Sequence, residues 1–436
     1  MKFVIYTNSL SAHQIPLAKE IAKQVGAENF QYVYTSRNGQ ALQECVASDD
    51  WICYAPTGAD LAARHDVNDW LENADVMLVG GIRPFDLIER RVKSGKKTLY
   101  MSERWFKPNL GILRLAWPPY FRMAKRFAKM LRRYDSLVYL PIGIHAARDM
   151  VRLCGLMHGD LRCLFRAPRL DFENCPMGRV WLRQSRRVVE ASSVDCRLSS
   201  VPDKHCLDKM RMWGYFVKSS EFGVKSSELN KGSLDQTHNS ELITHNSLRV
   251  LWVGRLLRLK RVDTIIRAVG YLASQASQAS QTSQTPQTSQ TTQTSQTPQT
   301  SQTSQTSQTI LLDIYGAGPE EERLKKMAAK YGDIIKFHPP VPIAEVRKLM
   351  RNHDLYVFAS NGYEGWGAVV SEALEEGMKV IGTYEAGASA TMLPETNLFC
   401  SGDWKMLVKR LSSDIPCVPI GDWSVKRAAE QLMKVI

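Results

Sequence analysis

Two successive runs of alternating strand-like and helix-like segments constrain the fold of this chain more than any other feature of its sequence. Short apolar runs alternate with amphipathic segments from the first residues onward, and the alternation restarts at LRVLWVGRLL, residues 248–257. This pattern is typical of parallel sheets whose strands are connected by helices. A chain of 436 residues is also too long for one compact core. The sequence therefore predicts an α/β protein with two doubly wound domains.

The positions of the predicted elements can be read from the same pattern. The first run predicts strands at residues 3–6, 32–34, 76–79 and 98–101, and helices at 15–25 and 85–93. The second run predicts strands at 248–257, 310–316, 334–338, 355–360 and 379–383, and helices at 262–272, 319–331, 343–352 and 366–377.

Two polar segments interrupt this pattern. Residues 221–247 lack periodicity, which predicts a linker between an N-terminal domain at 1–220 and a C-terminal domain at 248–436. Residues 273–309 consist largely of Ser-Gln-Thr triplets and carry no apolar residue beyond Ala, which predicts a disordered surface loop inside the second domain. Expansion of a repeat in a tolerant loop explains this tract better than an interaction or aggregation tract.

Composition narrows the class of protein and of partner. The hydrophobic fraction of 44% and charged fraction of 23% are those of a globular protein. The nine cysteines show no zinc-ligand spacing, which favours reduced thiols in a cytoplasm. The amino terminus lacks a signal-peptide pattern and no apolar run is long enough to span a bilayer, so we expect contact with a membrane at most. The formal charge of +13 indicates an anionic partner: nucleic acid, acidic lipid or a phosphorylated substrate.

The most informative stretch is SNGYEGWGAVVSEALEEGMKVIGT, which follows a predicted strand. It places Glu364 in a loop whose Gly365 and Gly367 let backbone approach a ligand. The helix beginning near Trp366 presents free N–H groups suited to a phosphate. Glu372, about two turns further on, lies near the same helix face and is suited to accept hydroxyl hydrogen bonds. Either glutamate alone is equally consistent with a solvated helix residue.

The two glutamates, with seven residues between them, resemble the signature of the family 4 glycosyltransferases, which have the two-Rossmann-domain fold called GT-B. VGRLLRLKRVDTIIRAV resembles the family's Gly-Arg-Leu and Lys-Gly motif, with Arg255 and Lys260 at the positions of its donor-diphosphate ligands. Arg261 stands where the family usually has Gly. IYGAGPEEERLKKMA resembles the family's nucleotide-side Gly-x-Gly-Pro turn, with Gly316 and Gly318 in place.

The resemblance implies that a nucleotide sugar, with a UDP or GDP carrier, binds the C-terminal domain. Its implied ligands are Arg255, Lys260, Gly316, Gly318, Gly365, Trp366, Gly367 and Glu372, and Glu364 lies next to the reacting carbon. An Arg donates two hydrogen bonds to a diphosphate, and a Lys supplies a point charge in place of a metal ion. No Asp-x-Asp pair is present, so we expect metal-independent transfer with no cofactor besides the nucleotide sugar.

The N-terminal half offers less specific candidates. NSLSAHQIPLAKEIAK resembles the Asn-x-x-x-x-His-Gln start of certain polysaccharide-biosynthesis glycosyltransferases and places His13 at the interdomain end of the first strand. This histidine either orients or deprotonates the acceptor hydroxyl, or caps the following helix. KTLYMSERWF puts Glu103 or Arg104 where many family members have a His, to contact sugar or acceptor or only to pair with each other. Residues 158–206 resemble an insertion relative to the family, with no assignable chemistry.

A basic amphipathic segment, LRLAWPPYFRMAKRFAKMLRRY, follows in the same half. Such a helix binds an anionic membrane surface, where the resemblance implies a lipid-diphosphate-linked acceptor. A solvated helix face over an ordinary core explains the segment equally well.

Together these features predict a retaining hexosyltransferase of cell-surface polysaccharide biosynthesis. It would transfer a sugar to a glycan or lipid-linked saccharide, in the cytoplasm or peripherally at the inner face of the cell membrane. The alternatives are a nucleotide-sugar epimerase of GT-B fold, which fits the Arg-Lys and paired-Glu pattern less well, and an inactive membrane-associated scaffold in polysaccharide assembly. Nucleic-acid binding would explain the charge but not the motifs, so no nucleic-acid partner is expected.

Overall fold

The computed structural model describes residues 1–10, 14–36, 49–55, 65–157, 159, 170–173, 175, 177, 179–182, 204–216, 247–282, 309–420 and 423–436. Four predictions fall wholly or mainly outside these residues and stay predictions. They are the role of His13, the linker before Ser247, most of the insertion at 158–206, and residues 283–308 of the Ser-Gln-Thr tract.

The N-terminal domain is a six-stranded parallel sheet with strand order β3-β2-β1-β4-β5-β6. Its strands are β1 (Phe3–Ser9), β2 (Phe30–Ser36), β3 (Ile52–Tyr54), β4 (Val76–Gly80), β5 (Lys97–Ser102) and β6 (Leu137–Pro141). Its helices are α1 (Ile15–Val25), α2 (His65–Asn73), α3 (Phe85–Lys93), α4 (Pro118–Arg133) and α5 (Ile144–Met157). β1, β4 and β6 are almost wholly buried, as expected for strands covered on both faces by helices.

Between the two domains the described residues form a short hairpin and one further helix. The hairpin pairs β7 (Leu170–Phe172) with β8 (Val180–Leu182) in antiparallel fashion, and α6 spans Lys204–Asp208. After α6 the chain runs beside β6, with bridges from Met210 to Tyr139 and from Trp213 to Ile142.

The C-terminal domain repeats the first topology with strand order β11-β10-β9-β12-β13-β14, all parallel. Its strands are β9 (Ser247–Val253), β10 (Thr309–Tyr315), β11 (Ile335–His338), β12 (Leu355–Phe358), β13 (Lys379–Thr383) and β14 (Leu398–Phe399). Its helices are α7 (Val262–Thr282), α8 (Glu321–Ala328), α9 (Ile343–Arg351), α10 (Ala368–Glu375), α11 (Gly387–Met392) and α12 (Trp404–Leu411). The prediction of two doubly wound α/β domains is confirmed.

Helix α7 corrects one predicted boundary. The helix was expected to end at Leu272, but it continues to Thr282, so the first ten residues of the Ser-Gln-Thr tract are helical. β10 likewise begins at Thr309, the last residue assigned to the tract. Once a helix is nucleated and packed, Ala and Gln extend it at little cost, which explains the overrun.

The last helix corrects a second boundary. α13 (Val425–Val435) was assigned to the C-terminal domain, but it packs against α1 of the N-terminal domain. Val425, Ala428, Ala429 and Leu432 join the core cluster that contains the buried residues of the N-terminal sheet and part of the C-terminal domain. A helix with a short apolar stripe can pack on any apolar surface within reach of the chain. Here that surface belongs to the other domain.

An aromatic cluster joins the domains where the chain crosses back. Trp366 of the C-terminal domain packs on Trp423 with ring centroids 5.8 Å apart and against Tyr215 at 6.5 Å. Phe216 stacks on the other side of Trp423 at 6.2 Å. These rings bury apolar surface from both domains in one place, so they hold the two sheets in a fixed relation.

The start of α5 forms a second junction between the domains. The Ile144 N–H donates to Thr391 Oγ1 at 3.0 Å, and His145 Nε2 lies 2.7 Å from the Tyr384 carbonyl oxygen. Burial, with repulsion from neighbouring arginines, lowers the pKa of His145 to about 3. The ring is therefore neutral at pH 7, and its Nε2–H donates to the carbonyl. Among the described helices, none is long and apolar enough to span a bilayer.

Candidate active site

The loops after β5 and β12 meet where the two domains face each other. Glu103, one residue beyond β5, lies against the backbone of Gly365, and any Cβ at position 365 would overlap its carboxylate. Glycine at 365 leaves room for the carboxylate in this position. The structure thus places Glu103 at the cleft, next to the Glu364 loop.

Lys260 and Glu364, 104 residues apart in sequence, form an ion pair in this cleft. Lys260 ends the short 3-10 turn Arg258–Lys260, and that turn is tied to the glutamate loop because Asn361 N–H donates to the Leu259 carbonyl at 2.9 Å. The two side chains are 20% and 18% exposed, so a ligand can reach both. A cation and an anion held together in this way can serve a phosphate and a hydroxyl of one substrate.

Tyr215 lies near both cleft carboxylates and was not predicted. Burial, and then the charges of Glu103 and Glu364, raise the pKa of Tyr215 to about 12. The phenol is therefore protonated at neutral pH and can donate its O–H. Its segment carries no motif, so nothing in the sequence pointed to it.

Glu372 lies on α10, half-buried, on the same side of the domain as Glu364. Burial raises the pKa of Tyr356, and the charges of Glu372 and Glu364 add to that effect, which places both carboxylates near one phenol. The Tyr356 hydroxyl donates to the Val253 carbonyl at 3.1 Å, at the end of β9. Both glutamates thus act electrostatically on the phenol that is bonded to the end of β9.

Arg255 is exposed in the loop that follows β9. Gly316 and Gly318 lie in the neighbouring loop, where a Cβ on Gly316 would overlap the Gly254 carbonyl and one on Gly318 would overlap the Leu256 backbone. Leu256 N–H donates to the Ala317 carbonyl at 2.9 Å. Close packing of these two loops is therefore a sufficient reason for both glycines, independent of any ligand.

The start of α10 is shaped by Gly367 and Trp366. Gly367 has a φ of 89°, in the left-handed region, and a Cβ there would overlap the Phe358 ring. Trp366 is 1% exposed within the aromatic cluster, and its Nε1–H donates to Ser371 Oγ at 3.3 Å. The Trp366 ring is buried where the domains join, which leaves only the backbone of this residue for the expected donor contact.

A cavity of about 490 Å³ opens at the carboxyl ends of β1, β4 and β5. Glu103 and Tyr215 line one side, and Asn8, Gly81 and Arg83 line the other. Asn8 lies against Gly81, whose φ is 72°. Asn8 near the end of β1 and the Gly80-Gly81 pair at the end of β4 are sequence signals by which such a site could be recognised. His13 lies outside the described residues, but the adjacent Gln14 lines this cavity.

Glu103 and Arg104 do not pair with each other, which was one of the predicted alternatives. Glu103 Oε2 lies 3.6 Å from Lys107 Nζ, and Arg104 Nε lies 3.6 Å from Asp149 Oδ2. Their side chains thus turn to different parts of the cleft. In the ranges that the structure describes, no three His, Cys, Asp or Glu side chains converge as metal ligands would.

The sequence model of the family described as "Glycosyl transferases group 1" matches residues 298–414. This range contains the Glu364 loop and Glu372. It begins after Arg255 and Lys260, so the match does not include them. No curated protein matches the chain.

Solved structures share the fold at low sequence identity. Anabaena HepE in complex with UDP has a TM-score of 0.54 at 12% identity, covering 100% of this chain and 94% of that one. The lipopolysaccharide outer core galactosyltransferase WaaB has a TM-score of 0.52 at 14% identity, covering 94% and 89%. A trehalose-6-phosphate structure from E. coli, bound with UDP-2-fluoro glucose, has a TM-score of 0.50 at 12% identity, covering 100% and 95%. The predicted GT-B fold is confirmed, and the family match on the C-terminal domain supports a glycosyltransferase.

Proposed function

We propose that the chain is a retaining, metal-independent family 4 glycosyltransferase that takes its sugar from a nucleotide-sugar donor. The proposal rests on the Lys260–Glu364 ion pair of one domain, beside which Glu103 of the other domain lies against Gly365. A transferase of this fold needs residues of both domains at one place, because donor and acceptor bind different domains and react between them. UDP is the preferred carrier, since UDP is bound in the HepE structure that shares the fold.

The donor diphosphate would lie between Arg255, Lys260 and the first N–H groups of α10. Arg255 is exposed and can turn its guanidinium onto the phosphates. Lys260 neutralises Glu364 in the free protein and would share its charge with the departing diphosphate as the sugar bond breaks. Glu364 then accepts a hydrogen bond from a hydroxyl of the transferred sugar, and Glu372 accepts one from the ribose.

The acceptor would enter the cavity of about 490 Å³ in the N-terminal domain. Glu103 and Tyr215 line that cavity, and the charge of Glu364 acts on Tyr215, so we propose that both contact the attacking hydroxyl or the sugar. His13 directly precedes Gln14 in the sequence and is our candidate for orienting or deprotonating the hydroxyl.

We further propose that α4 and the segment before it dock on an anionic membrane. Leu110, Leu113 and Trp117 are 52%, 70% and 64% exposed in that segment. α4 buries one face in the core while five cations on its other face are exposed: Arg122, Lys125, Lys129, Arg132 and Arg133. Exposed apolar side chains beside clustered cations are suited to the headgroup region of a bilayer. A role in cell-surface polysaccharide synthesis fits this placement and the name of WaaB.

A panel of nucleotide sugars tested for thermal stabilisation of the purified chain would examine the donor part of this proposal. We expect one UDP- or GDP-sugar to raise the melting temperature, because a ligand that binds only the folded state stabilises it. Lys260→Ala should abolish that rise, whereas Lys326→Ala, on α8 outside the cleft, should retain it. Equal stabilisation of the two variants would contradict the donor site. The absence of stabilisation by every nucleotide sugar in the panel would contradict it as well. Product analysis would separate transfer from epimerisation.

A further inference from the structure

A second cavity, of about 420 Å³, lies between the domains beside the Glu364 loop. Arg104 and Arg152 reach it from the N-terminal domain and Arg261 from the C-terminal domain, and Gly362 and Tyr363 of the glutamate loop form part of its wall. Arg104 directly follows Glu103 in the chain. The cavity therefore adjoins the loop that carries Glu364.

The arginines around this cavity outnumber their carboxylate partners. Arg104 lies 3.6 Å from Asp149, and Arg261 lies 3.3 Å from Asp263. Glu385 also lines the cavity, but both of its oxygens accept the Ser401 N–H, at 3.2 and 3.0 Å. Arg152, by contrast, has no carboxylate within ion-pair distance among the described residues.

Arg148, one turn before Arg152 on α5, shares this condition. The Nε atoms of both side chains are buried, and within the described part of the chain neither has a hydrogen-bond partner. Burial, and then repulsion from Arg152 and Arg104, lower the pKa of Arg148. His145 is neutral, and Asp149 supplies one negative charge near Arg148, Arg152 and Arg104. One carboxylate among three guanidinium groups leaves a net positive charge, which a bound anion would offset.

Arg261 provides an independent observation. Its φ of 51° is left-handed, a conformation that is unfavourable for a non-glycine residue. The family that the chain resembles usually has Gly here. A large cationic side chain at a position that favours glycine, aimed at a cavity with two other arginines, is best explained by a role in that cavity.

We propose that this cavity binds a phosphate group of the acceptor, with Arg152 and Arg104 as its principal ligands. The inference rests on the proposed glycosyltransferase function and names the class of acceptor. Guanidinium groups fork the oxygens of a phosphate, which a neutral sugar cannot offer. Gly111 and Ile112 line the same cavity, and they belong to the segment that exposes Leu110 and Leu113. A phosphate carried by a lipid would therefore enter from the membrane side.

The test is titration of the full chain with inorganic pyrophosphate while saturating UDP occupies the donor site. We expect binding that Arg152→Ala weakens at least tenfold and Arg152→Lys weakens less, because Lys keeps the charge but loses the fork. Arg323→Ala removes an exposed arginine of α8 and should change nothing. Melting temperatures would establish that each variant is folded.

Two further arms identify the source of the phosphate. Glucose 1-phosphate in solution and polyprenyl phosphate in neutral vesicles would each be tested for binding that depends on Arg152, and either result supports the site. If UDP stabilises the chain but pyrophosphate binds equally to Arg152→Ala, or not at all, the phosphate site is wrong and the donor site stands. If UDP does not bind, the proposed function itself fails.

Discussion

At the scale of single residues, Glu364 carries the clearest prediction. Its carboxylate is paired with Lys260 in the free protein and is proposed to contact the sugar near the reacting carbon. An interaction that strengthens as charge develops there acts on turnover rather than on binding. We expect Glu364→Gln to lower kcat by about 10- to 100-fold with little change in donor KM. Steady-state kinetics against the donor would check this, with circular dichroism to establish folding.

Glu372 should behave differently because it is proposed to bind the ribose. A ribose contact is nearly the same in the ground and transition states, so its loss weakens donor binding. Glu372→Gln should raise the donor KM by roughly tenfold, if a hydrogen bond of about 1.5 kcal/mol is weakened, and leave kcat almost unchanged. Unchanged constants in both glutamate variants would assign these residues a purely structural role.

Asp313 yields a prediction about stability against pH. Hydrogen bonds from His353 and His338, at 3.1 and 2.7 Å, lower its pKa to about 2, well below the value in an unfolded chain. Its stabilising effect is therefore complete above about pH 4 and is lost as the pH falls towards 2. Asp313→Asn should cost about 2 kcal/mol in the free energy of unfolding at pH 7, and less at pH 3.

Urea unfolding at both pH values would measure this loss, with the fully exposed Asp333→Asn as control. A loss that is the same at pH 7 and pH 3 would show that the charge of Asp313 is not its cause.

The sequence could predict some site residues and not others for physical reasons. Lys260 and Glu364 each lie in a motif next to a strand end, and strand ends of a parallel sheet meet at one edge. Tyr215 has no such motif, since its position depends on how the chain crosses back over β6. Trp366 lies in the motif, but its burial depends on Trp423, which only the folded chain brings to it.

At the scale of elements, two helices of the N-terminal domain were predicted with their bounds. α1 and α3 begin and end at the predicted residues. β3 was missed because it has three residues, all half-buried, at the edge of its sheet. The length of α7 was underestimated because its last ten residues are mostly Ser, Gln and Ala. Such an extension has no hydrophobic period in the sequence.

α4 supports the element-scale prediction of membrane binding. Replacing Lys125 and Lys129 by Glu reverses two exposed charges without touching the buried face that carries Phe127. We expect wild-type protein to sediment with anionic vesicles at low salt, and the double variant to lose most of that binding. Arg323→Glu is the matched control, because it changes the charge on another domain.

Salt and vesicle composition provide the remaining controls for α4. Binding should fall as ionic strength rises, since exposed charges are screened over about 10 Å at 0.1 M salt. Equal sedimentation with neutral and anionic vesicles would contradict the electrostatic part of the proposal and leave only the exposed apolar side chains as an explanation.

At the scale of the whole molecule, three joints between the domains stand out in the part of the chain that the structure describes. The aromatic cluster holds Trp366 against Trp423, α5 bonds to α11 through Thr391, and Glu103 lies on the Glu364 loop. The sequence predicted two domains but not these joints, because each depends on residues far apart in the chain. The proposed donor-binding and acceptor-binding groups thus face one another only in the assembled molecule.

The most direct test of the proposed function is sugar transfer itself, followed by NMR of the product formed from the nucleotide sugar that stabilises the chain. We expect UDP or GDP release coupled to a new glycosidic bond with the anomeric configuration of the donor, and loss of this activity in Lys260→Ala. A product of inverted configuration would contradict the retaining mechanism. Full activity in Lys260→Ala would show that the reaction does not occur in the cleft described.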